Sequence, residues 1–154
     1  MIRAQAQRLL QTALANPSAE FREGQWEAID ALVNHRQKLL VVQRTGWGKS
    51  SVYFISTRIF RDRGMGPTII VSPLLALMRN QIESAQRLGI VAETMNSTNS
   101  ADWQEVTRRI LTNQIDCLLI SPERLANDGF IETVLQPIAD RIALMVIDEA
   151  HCIS

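Results

Sequence analysis

The amino-acid sequence predicts an α/β protein whose mostly parallel sheet carries helices on both faces. Short, continuous apolar runs alternate along the chain with segments of helical periodicity. A continuous apolar run is typical of a parallel strand that is buried on both of its faces. With 154 residues and 46% hydrophobic content, the chain is long enough for one domain with its own core. In this fold class, ligands bind at the carboxyl ends of the strands.

The predicted elements alternate regularly along the chain. Strands are expected at 39–42, 67–71, 90–94, 116–120 and 142–147. Helices are expected from the N-terminus to Asn16-Pro17 and at 22–34, 51–60, 74–88, 102–111 and 130–135. Ser72-Pro73 and Ser121-Pro122 indicate helix starts, because serine caps free N–H groups and proline needs no N–H in the first turn. Gly89 is expected to end the helix before the third strand.

The charge balance and the cysteines exclude several classes of protein. Lysine plus arginine equals aspartate plus glutamate at 16 each, so any nucleic-acid contact must be local. Cys117 and Cys152 have no CxxC spacing and no second pair, which indicates reduced cysteines rather than a zinc site or a disulfide framework. No apolar stretch approaches the roughly 18 residues of a membrane span. We therefore expect a soluble protein without membrane contact.

The first 19 residues contain Arg3 and Arg8 and no acidic residue. The same pattern occurs in organelle transit segments, but those are usually rich in serine and this segment is not. Because Asn16-Pro17 closes an apolar pattern of helical spacing, an opening helix of the domain is the favoured interpretation.

The segment after the first predicted strand contains Gly46, Gly48, Lys49 and Ser50. Glycines let backbone N–H groups point at a phosphate, and a lysine reaches the terminal phosphates of a nucleotide. The Ser50 hydroxyl would bind Mg²⁺, and the N-terminus of the following helix adds its dipole. The general GxxxxGK[ST] pattern has a glycine where this chain has Gln43. A simple glycine turn between strand and helix is therefore the competing interpretation.

A second polar motif follows the last predicted strand, where Asp148 and Glu149 stand side by side. A carboxylate in this place can hold Mg²⁺ through its water shell, and its neighbour can orient and deprotonate an attacking water. An exposed acidic turn is the alternative for such a pair taken alone. Together with Lys49 upstream, the pair predicts an ATP site in which Lys49, Asp148 and Glu149 are the catalytic residues.

Several further segments resemble signatures of the superfamily 2 helicases, and most of all those of the RecQ branch. In chain order they are Phe21-Arg22-Glu23-Gly24-Gln25, Thr45-Gly46-Trp47-Gly48-Lys49-Ser50, Ser72-Pro73-Leu74-Leu75-Ala76-Leu77-Met78-Arg79-Asn80-Gln81, Asn96-Ser97-Thr98, Ser121-Pro122-Glu123-Arg124-Leu125 and Asp148-Glu149-Ala150-His151-Cys152-Ile153-Ser154. The helicase form of the phosphate loop does not demand the early glycine, which accounts for Gln43. The resemblance implies a RecA-like, P-loop NTPase fold. It also implies that 1–154 is a single helicase ATP-binding domain with a helical lead-in at about 1–36, and that the second RecA-like domain is absent.

The resemblance also implies a set of nucleotide-binding residues. Gln25 would bind the adenine edge through its amide, with Arg22 beside it. Relatives often have an aromatic residue where this chain has Ser18, and commonly a glycine where it has Trp47. The implied ATP ligands are Arg22, Gln25, Thr45, Gly46, Trp47, Gly48, Lys49, Ser50 and Ser51, with Mg²⁺ on Ser50 and Asp148.

Nucleic-acid contacts are implied at the serine-proline helix starts, since exposed helix N-termini bind backbone phosphates. The implied contacts are Ser72, Pro73, Arg79, Asn80, Ser97, Thr98, Ser121 and Arg124. Ordinary helix starts and solvated charges are the alternative for these residues. His151 is expected to couple the ATP site to DNA or to the second domain.

The expected function is that of the ATP-binding N-terminal lobe of an ATP-dependent DNA helicase or translocase of DNA repair or recombination. The resemblance implies 3′-to-5′ movement on single-stranded or forked DNA, in the bacterial cytoplasm and nucleoid or in a eukaryotic nucleus. The chain alone is expected to bind nucleotide but not to unwind. A DEAH-type RNA helicase lobe is the runner-up, and a nucleotide-dependent switch or assembly module is the alternative from another class.

Overall fold

Five parallel strands form the sheet. The computed structural model describes residues 3–35, 39–42, 49–73, 79–95 and 101–148, with the backbone alone for 39–42, 49, 50 and 148. The strands are β1 (Leu39–Val42), β2 (Thr68–Val71), β3 (Ala92–Met95), β4 (Cys117–Ile120) and β5 (Leu144–Asp148). Their order is β1-β5-β2-β4-β3, and each neighbouring pair among these described strands is parallel. The parallel sheet expected from the apolar runs is confirmed.

The helices are α1 (Arg3–Ala13), α2 (Gln25–Val33), α3 (Lys49–Asp62), α4 (Arg79–Arg87), α5 (Trp103–Leu111) and α6 (Pro122–Leu125). Before β5, a helical path consists of α7 (Asp128–Phe130), a π-helical turn (Ile131–Leu135) and α8 (Gln136–Ile138). The single short helix predicted at 130–135 is therefore too short. The N–H of Gln136 donates to the carbonyl of Ile131, and the wider turn ends beside Pro137, which has no N–H to continue the ladder. Within the described residues, no helix combines the length and the apolarity needed to cross a membrane.

Both faces of the sheet are covered, as predicted. Cys117 and Leu119 of β4 belong to one apolar cluster, whereas Leu118 and Ile120 belong to the other. This division follows from the alternation of side chains along a strand. The first cluster also contains buried residues of α1, α2 and α3, and the second contains those of α5 and of the helical path before β5.

Gly89 ends α4, as predicted, and it also delays the next strand. Its φ of 76° lies in the left-handed region that glycine adopts without strain. The N–H of Ile90 then donates back to the carbonyl of Ala85 at 3.1 Å, which is the hydrogen bond of a glycine C-cap. Because Ile90 completes this turn, β3 begins at Ala92 and not at Ile90 as the sequence suggested.

A partly buried ion pair lies at the amino edge of the sheet. Arg61 Nε lies 2.6 Å from Asp116 Oδ1, and the two side chains are 11% and 13% exposed. The second carboxylate oxygen of Asp116 accepts from the N–H of Val91 at 2.7 Å, while Arg61 also donates to Asn113 Oδ1 at 2.7 Å. The pair therefore joins the last turn of α3 to the segments that precede β3 and β4.

Gly66 lies where two backbone segments touch. A Cβ at this position would overlap the carbonyl oxygen of Arg141. The neighbouring Pro67 carbonyl accepts from the N–H of Ala143 at 2.9 Å, so the two segments are also joined by a hydrogen bond. We expect Gly66→Ala to lower the free energy of unfolding by about 2–3 kcal/mol, because a backbone atom has no alternative rotamer. Urea denaturation followed by circular dichroism measures this loss.

Gly64→Ala is the matched control. Gly64 has nothing within 4 Å of an added Cβ, but its φ is 75°. Its substitution should cost only the strain of a left-handed residue, about 1–2 kcal/mol. If the two variants lose the same free energy of unfolding, the contact with Arg141 does not require glycine at position 66.

Candidate functional site

The strand that precedes the first polar motif pairs with the strand that ends at the second. In the parallel pairing of β1 with β5, the last residue of β1, Val42, lies opposite Asp148, the last residue of β5. The chain that leaves Val42 enters α3 at Lys49. The chain thus passes from a strand end beside Asp148 to the start of a helix, and a phosphate-binding motif has this order of strand and helix.

The N-terminus of α3 is held in place by the burial of the helix body. Val52, Phe54, Ile55 and Ile59 are buried against the sheet and the neighbouring helices. The first N–H groups of a helix have no partner within it, and the helix dipole makes this end attractive to an anion. Lys49 and Ser50 occupy this first turn, and the partly exposed Ser51 follows them. The other predicted loop residues, Thr45, Gly46, Trp47 and Gly48, lie outside the described residues.

Asp148 ends a strand whose position is fixed on both sides. β5 lies between β1 and β2, and its register pairs Asp148 with Val42 on one side and Ile147 with Val71 on the other. The predicted Mg²⁺ ligands are Ser50, in the first turn of α3, and Asp148, the last residue of β5. The strand before α3, β1, ends opposite Asp148 at the carboxyl edge of the sheet. Among the described side chains, no group of three His, Cys, Asp or Glu residues is placed to hold a metal ion. Glu149 and His151 lie outside the described residues.

The predicted adenine-binding residues Arg22 and Gln25 form a tight turn before α2. The N–H of Arg22 donates to Oε1 of Gln25 at 2.7 Å, and the N–H of Gln25 donates to the carbonyl of Arg22 at 3.1 Å. Between them, Gly24 has a φ of 86°, so the helix begins at Gln25 and not at Arg22 as predicted. Gln25 is buried and Arg22 is exposed. The turn gives the Gln25 amide a fixed orientation; its contact with adenine stays a prediction.

The predicted nucleic-acid-binding residues after β2 differ in their exposure to solvent. Ser72 is fully buried, and its N–H is hydrogen-bonded to the carbonyl at the end of β4. Pro73 is partly exposed, whereas Arg79 and Asn80 at the start of α4 are exposed. Arg79 and Asn80 are therefore accessible to a ligand as the chain stands, and the Ser72 hydroxyl is not. Outside the described residues lie the predicted helix start at Leu74 and two further contacts, Ser97 and Thr98.

Ser121 precedes α6, and Pro122 is the first helical residue. This helix start follows the serine-proline prediction, but the Ser121 hydroxyl makes no capping bond to the helix backbone. Hydrogen bonding by the backbone N–H of Glu123 and by the Ser121 hydroxyl lowers the pKa of the Glu123 carboxyl.

Arg124 lies against aromatic rings. Its guanidinium carbon is 4.0 Å from the centroid of the Trp103 ring and 6.0 Å from that of Phe130. Such stacking is a cation–π interaction. Sequence reasoning did not single out Trp103, because no local spacing rule connects the first residue of α5 with α6.

The chain is similar to several curated helicases. It is 40% identical over 138 residues to the ATP-dependent DNA helicase RecQ of Bacillus subtilis, covering 88% of this chain and 22% of that protein. It is 37% identical over 135 residues to the RecQ of Haemophilus influenzae, covering 87% of this chain and 20% of that protein. The ATP-dependent helicase SGS1 of Saccharomyces cerevisiae is 33% identical over 137 residues, with 87% of this chain and 9% of that protein covered. The chain thus spans about a fifth of the bacterial relatives.

A crystal structure described as that of a hypothetical ATP-dependent RNA helicase from Sulfolobus tokodaii shares the fold. The TM-score is 0.60 at 17% sequence identity, and the match covers 97% of this chain and 51% of the other. At this identity the likeness shows the fold alone. The model of the DEAD/DEAH box helicase family matches residues 22–154, which include both polar motifs and all five described strands. The chain belongs to the DEAD/DEAH box helicase family.

Proposed function

We propose that this chain is the nucleotide-binding lobe of an ATP-dependent DNA helicase or translocase of the RecQ type. The observation that carries the proposal is the register of β1 with β5, which sets Val42 opposite Asp148. The end of β1, from which the chain continues to Lys49, and the acidic end of β5 therefore share one edge of the sheet. Family membership and the RecQ names of the similar proteins support nucleotide use and a DNA substrate.

The roles follow from the chemistry of the residues at this edge. Lys49 would neutralise the terminal phosphates from the first turn of α3, where the helix dipole adds to the attraction. Mg²⁺ fits the hard oxygen donors of Ser50 and Asp148, and when bound it supplies charge neutralisation at the phosphates. Glu149 would orient the attacking water and accept its proton. Gln25, with Arg22, would contact the adenine through the amide that the turn before α2 holds in place.

The proposed partner is a second RecA-like lobe in the same parent protein. In related nucleotide hydrolases, an arginine finger contributes about 10³–10⁵ in rate. This chain without such a lobe should bind nucleotide, hydrolyse it slowly and leave duplex DNA unwound. The longer protein would move 3′-to-5′ on single-stranded or forked DNA, in the bacterial nucleoid or a eukaryotic nucleus.

Nucleic-acid stimulation of ATP hydrolysis tests the DNA assignment. We expect single-stranded DNA to stimulate hydrolysis by the longer protein that contains this chain, because the proposed helicase couples ATP hydrolysis to movement on the strand. A coupled-enzyme assay measures the rate with DNA, with RNA of the same sequence and with neither. A Glu149→Gln variant of the longer protein, which loses the proposed base, provides the background.

The response of the hydrolysis rate to DNA and RNA distinguishes the proposed DNA helicase from its two alternatives. Stimulation by RNA and not by DNA would overturn the DNA assignment in favour of an RNA helicase. Nucleotide binding without stimulation by either strand would favour a nucleotide-dependent switch or assembly module.

A further inference from the structure

An open groove runs between α5 and the helices that follow β4. Its volume is about 470 Å³, and its lining includes Met95, Trp103, Gln104, Thr107, Arg124 and Phe130. Met95 is the last residue of β3, and the N–H of Ser121, directly after β4, donates to its carbonyl at 3.4 Å. The groove therefore opens at the carboxyl ends of β3 and β4, the edge at which α/β sheets bind ligands.

Arg124 supplies the charge of this groove. Of the described residues that line it, Arg124 alone is charged. None of the salt bridges among the described residues includes Arg124. The nearest acid in sequence, Glu123, is in none of these salt bridges either. The guanidinium is thus held on a ring face without a neutralising carboxylate among these residues.

An aromatic ring can hold a guanidinium without consuming its hydrogen bonds. The guanidinium carbon of Arg124 lies over the Trp103 ring, 4.0 Å from its centroid. A guanidinium that stacks on a ring keeps the N–H groups at its rim available as donors. A carboxylate partner would instead occupy those N–H groups bidentately. An arginine held in this way is preorganised for an oxyanion, and its planar fork fits the two free oxygens of a phosphodiester.

We propose that Trp103 is a positioning residue, which holds the Arg124 guanidinium on its ring face so that Arg124 binds a backbone phosphate of a nucleic-acid strand in this groove. The proposal deepens the proposed function and rests on it. A purely structural clamp between α5 and α6 would use the same stack, but it would not alter the salt dependence of strand binding.

The test is the binding of a fluorescein-labelled oligothymidylate to this chain, followed by anisotropy at several KCl concentrations. For single strands, each neutralised phosphate contributes about 0.7 to the slope of log K against log salt concentration. We expect Arg124→Gln to lower this slope by about 0.7 and to weaken binding about fivefold, a loss of about 1 kcal/mol. Trp103→Met, which fills the volume without a ring face, should do the same. Trp103→Phe should preserve the slope, and the Trp103→Met, Arg124→Gln double variant should bind no more weakly than Arg124→Gln.

Arg108→Gln is the matched control. Arg108 lies on α5, is 56% exposed and pairs with Glu105, so its loss removes the same charge outside the groove. Its slope should equal that of the wild type within about 0.2, well below one phosphate contact. Circular dichroism melting and Mg²⁺-ATP titration confirm that each variant is folded and retains the nucleotide site.

Several results would overturn the proposal. If Arg124→Gln lowers the slope and Trp103→Met does not, Trp103 does not position Arg124. If neither changes the slope while Mg²⁺-ATP still binds, the groove does not hold the strand and the nucleotide-binding function stands. If the wild type binds no strand, the nucleic-acid part of the proposed function fails as well. Polyglutamate and unlabelled oligothymidylate of equal charge can be compared as competitors for the labelled strand. If only polyglutamate displaces it, the groove binds an acidic protein partner instead.

The wild type supplies a second readout in case the Trp103 variants do not fold. The ring current of Trp103 shifts the Arg124 side-chain N–H resonance, and strand binding should move that resonance further. An unchanged Arg124 resonance at saturating oligothymidylate would contradict the proposal.

Discussion

Lys49→Ala should abolish the binding of Mg²⁺-nucleotide by this chain. Lys49 is the first residue of α3, and the strand before it, β1, ends opposite Asp148 at the carboxyl edge of the sheet. Hydrogen bonds to charged groups are worth about 1.5–3 kcal/mol each, so losing the contacts to the terminal phosphates should reduce the affinity by more than about 100-fold. Isothermal titration calorimetry with Mg²⁺-ATP on the two proteins measures this loss.

Arg108→Ala removes a positive charge from the exposed face of α5 and serves as the control for a change in net charge. Its Mg²⁺-ATP affinity should match that of the wild type. Lys49→Ala should also keep the wild-type melting temperature, since the first turn of a helix tolerates alanine. Equal affinity of Lys49→Ala and wild type would remove the phosphate-loop assignment altogether.

Asp116→Ala should be the most destabilising of the substitutions considered for stability. The change removes the carboxylate from the partly buried Arg61 guanidinium, and it deprives the Val91 N–H of its acceptor. Each lost hydrogen bond to a charged group is worth about 1.5–3 kcal/mol, so the free energy of unfolding should fall by about 3–5 kcal/mol. Urea denaturation with circular dichroism should show this loss as a shift of the midpoint at constant slope.

Asp62→Ala is the control for Asp116→Ala. Asp62 ends the same helix and pairs with Arg58 at 3.0 Å, but its side chain is 64% exposed. Exposed pairs contribute about 0–1 kcal/mol, so this variant should be close to the wild type. Comparable losses for the two substitutions would mean that the amino-edge pair is no more than a surface contact. Both variants should bind Mg²⁺-ATP normally where folded, because the pair lies at the edge opposite the candidate site.

Local patterns were sufficient for most of the fold. β1 was predicted with its observed bounds of Leu39–Val42, and each other predicted strand was found with ends that differ by a few residues. Such apolar runs carry their own signal, because a strand buried on both faces must be apolar throughout. A left-handed glycine accounts for two of the differences: Gly89 delays the start of β3, and Gly24 delays the start of α2.

The pairings of the candidate site were not predictable in the same way. Gln25 was predicted as an adenine ligand, and the structure shows a buried amide whose oxygen accepts from the Arg22 N–H. Trp103 and Arg124 come together only because α5 and α6 pack against the same face of the sheet. A side-chain contact of this kind depends on helix position and rotamer, which no spacing along the chain specifies.

By itself, the sequence determined the fold class and the order of strands and helices, because periodicity and glycine placement act over a few neighbouring residues. It also predicted the residues of an ATP site. Only the tertiary structure decided which strands are neighbours. β1 and β5 lie far apart in the chain, yet their pairing sets Val42 opposite Asp148. These two strands are neighbours because helices pack on both faces of the sheet. The free energy of this packing is a sum over the whole core, and no single segment of the sequence specifies it.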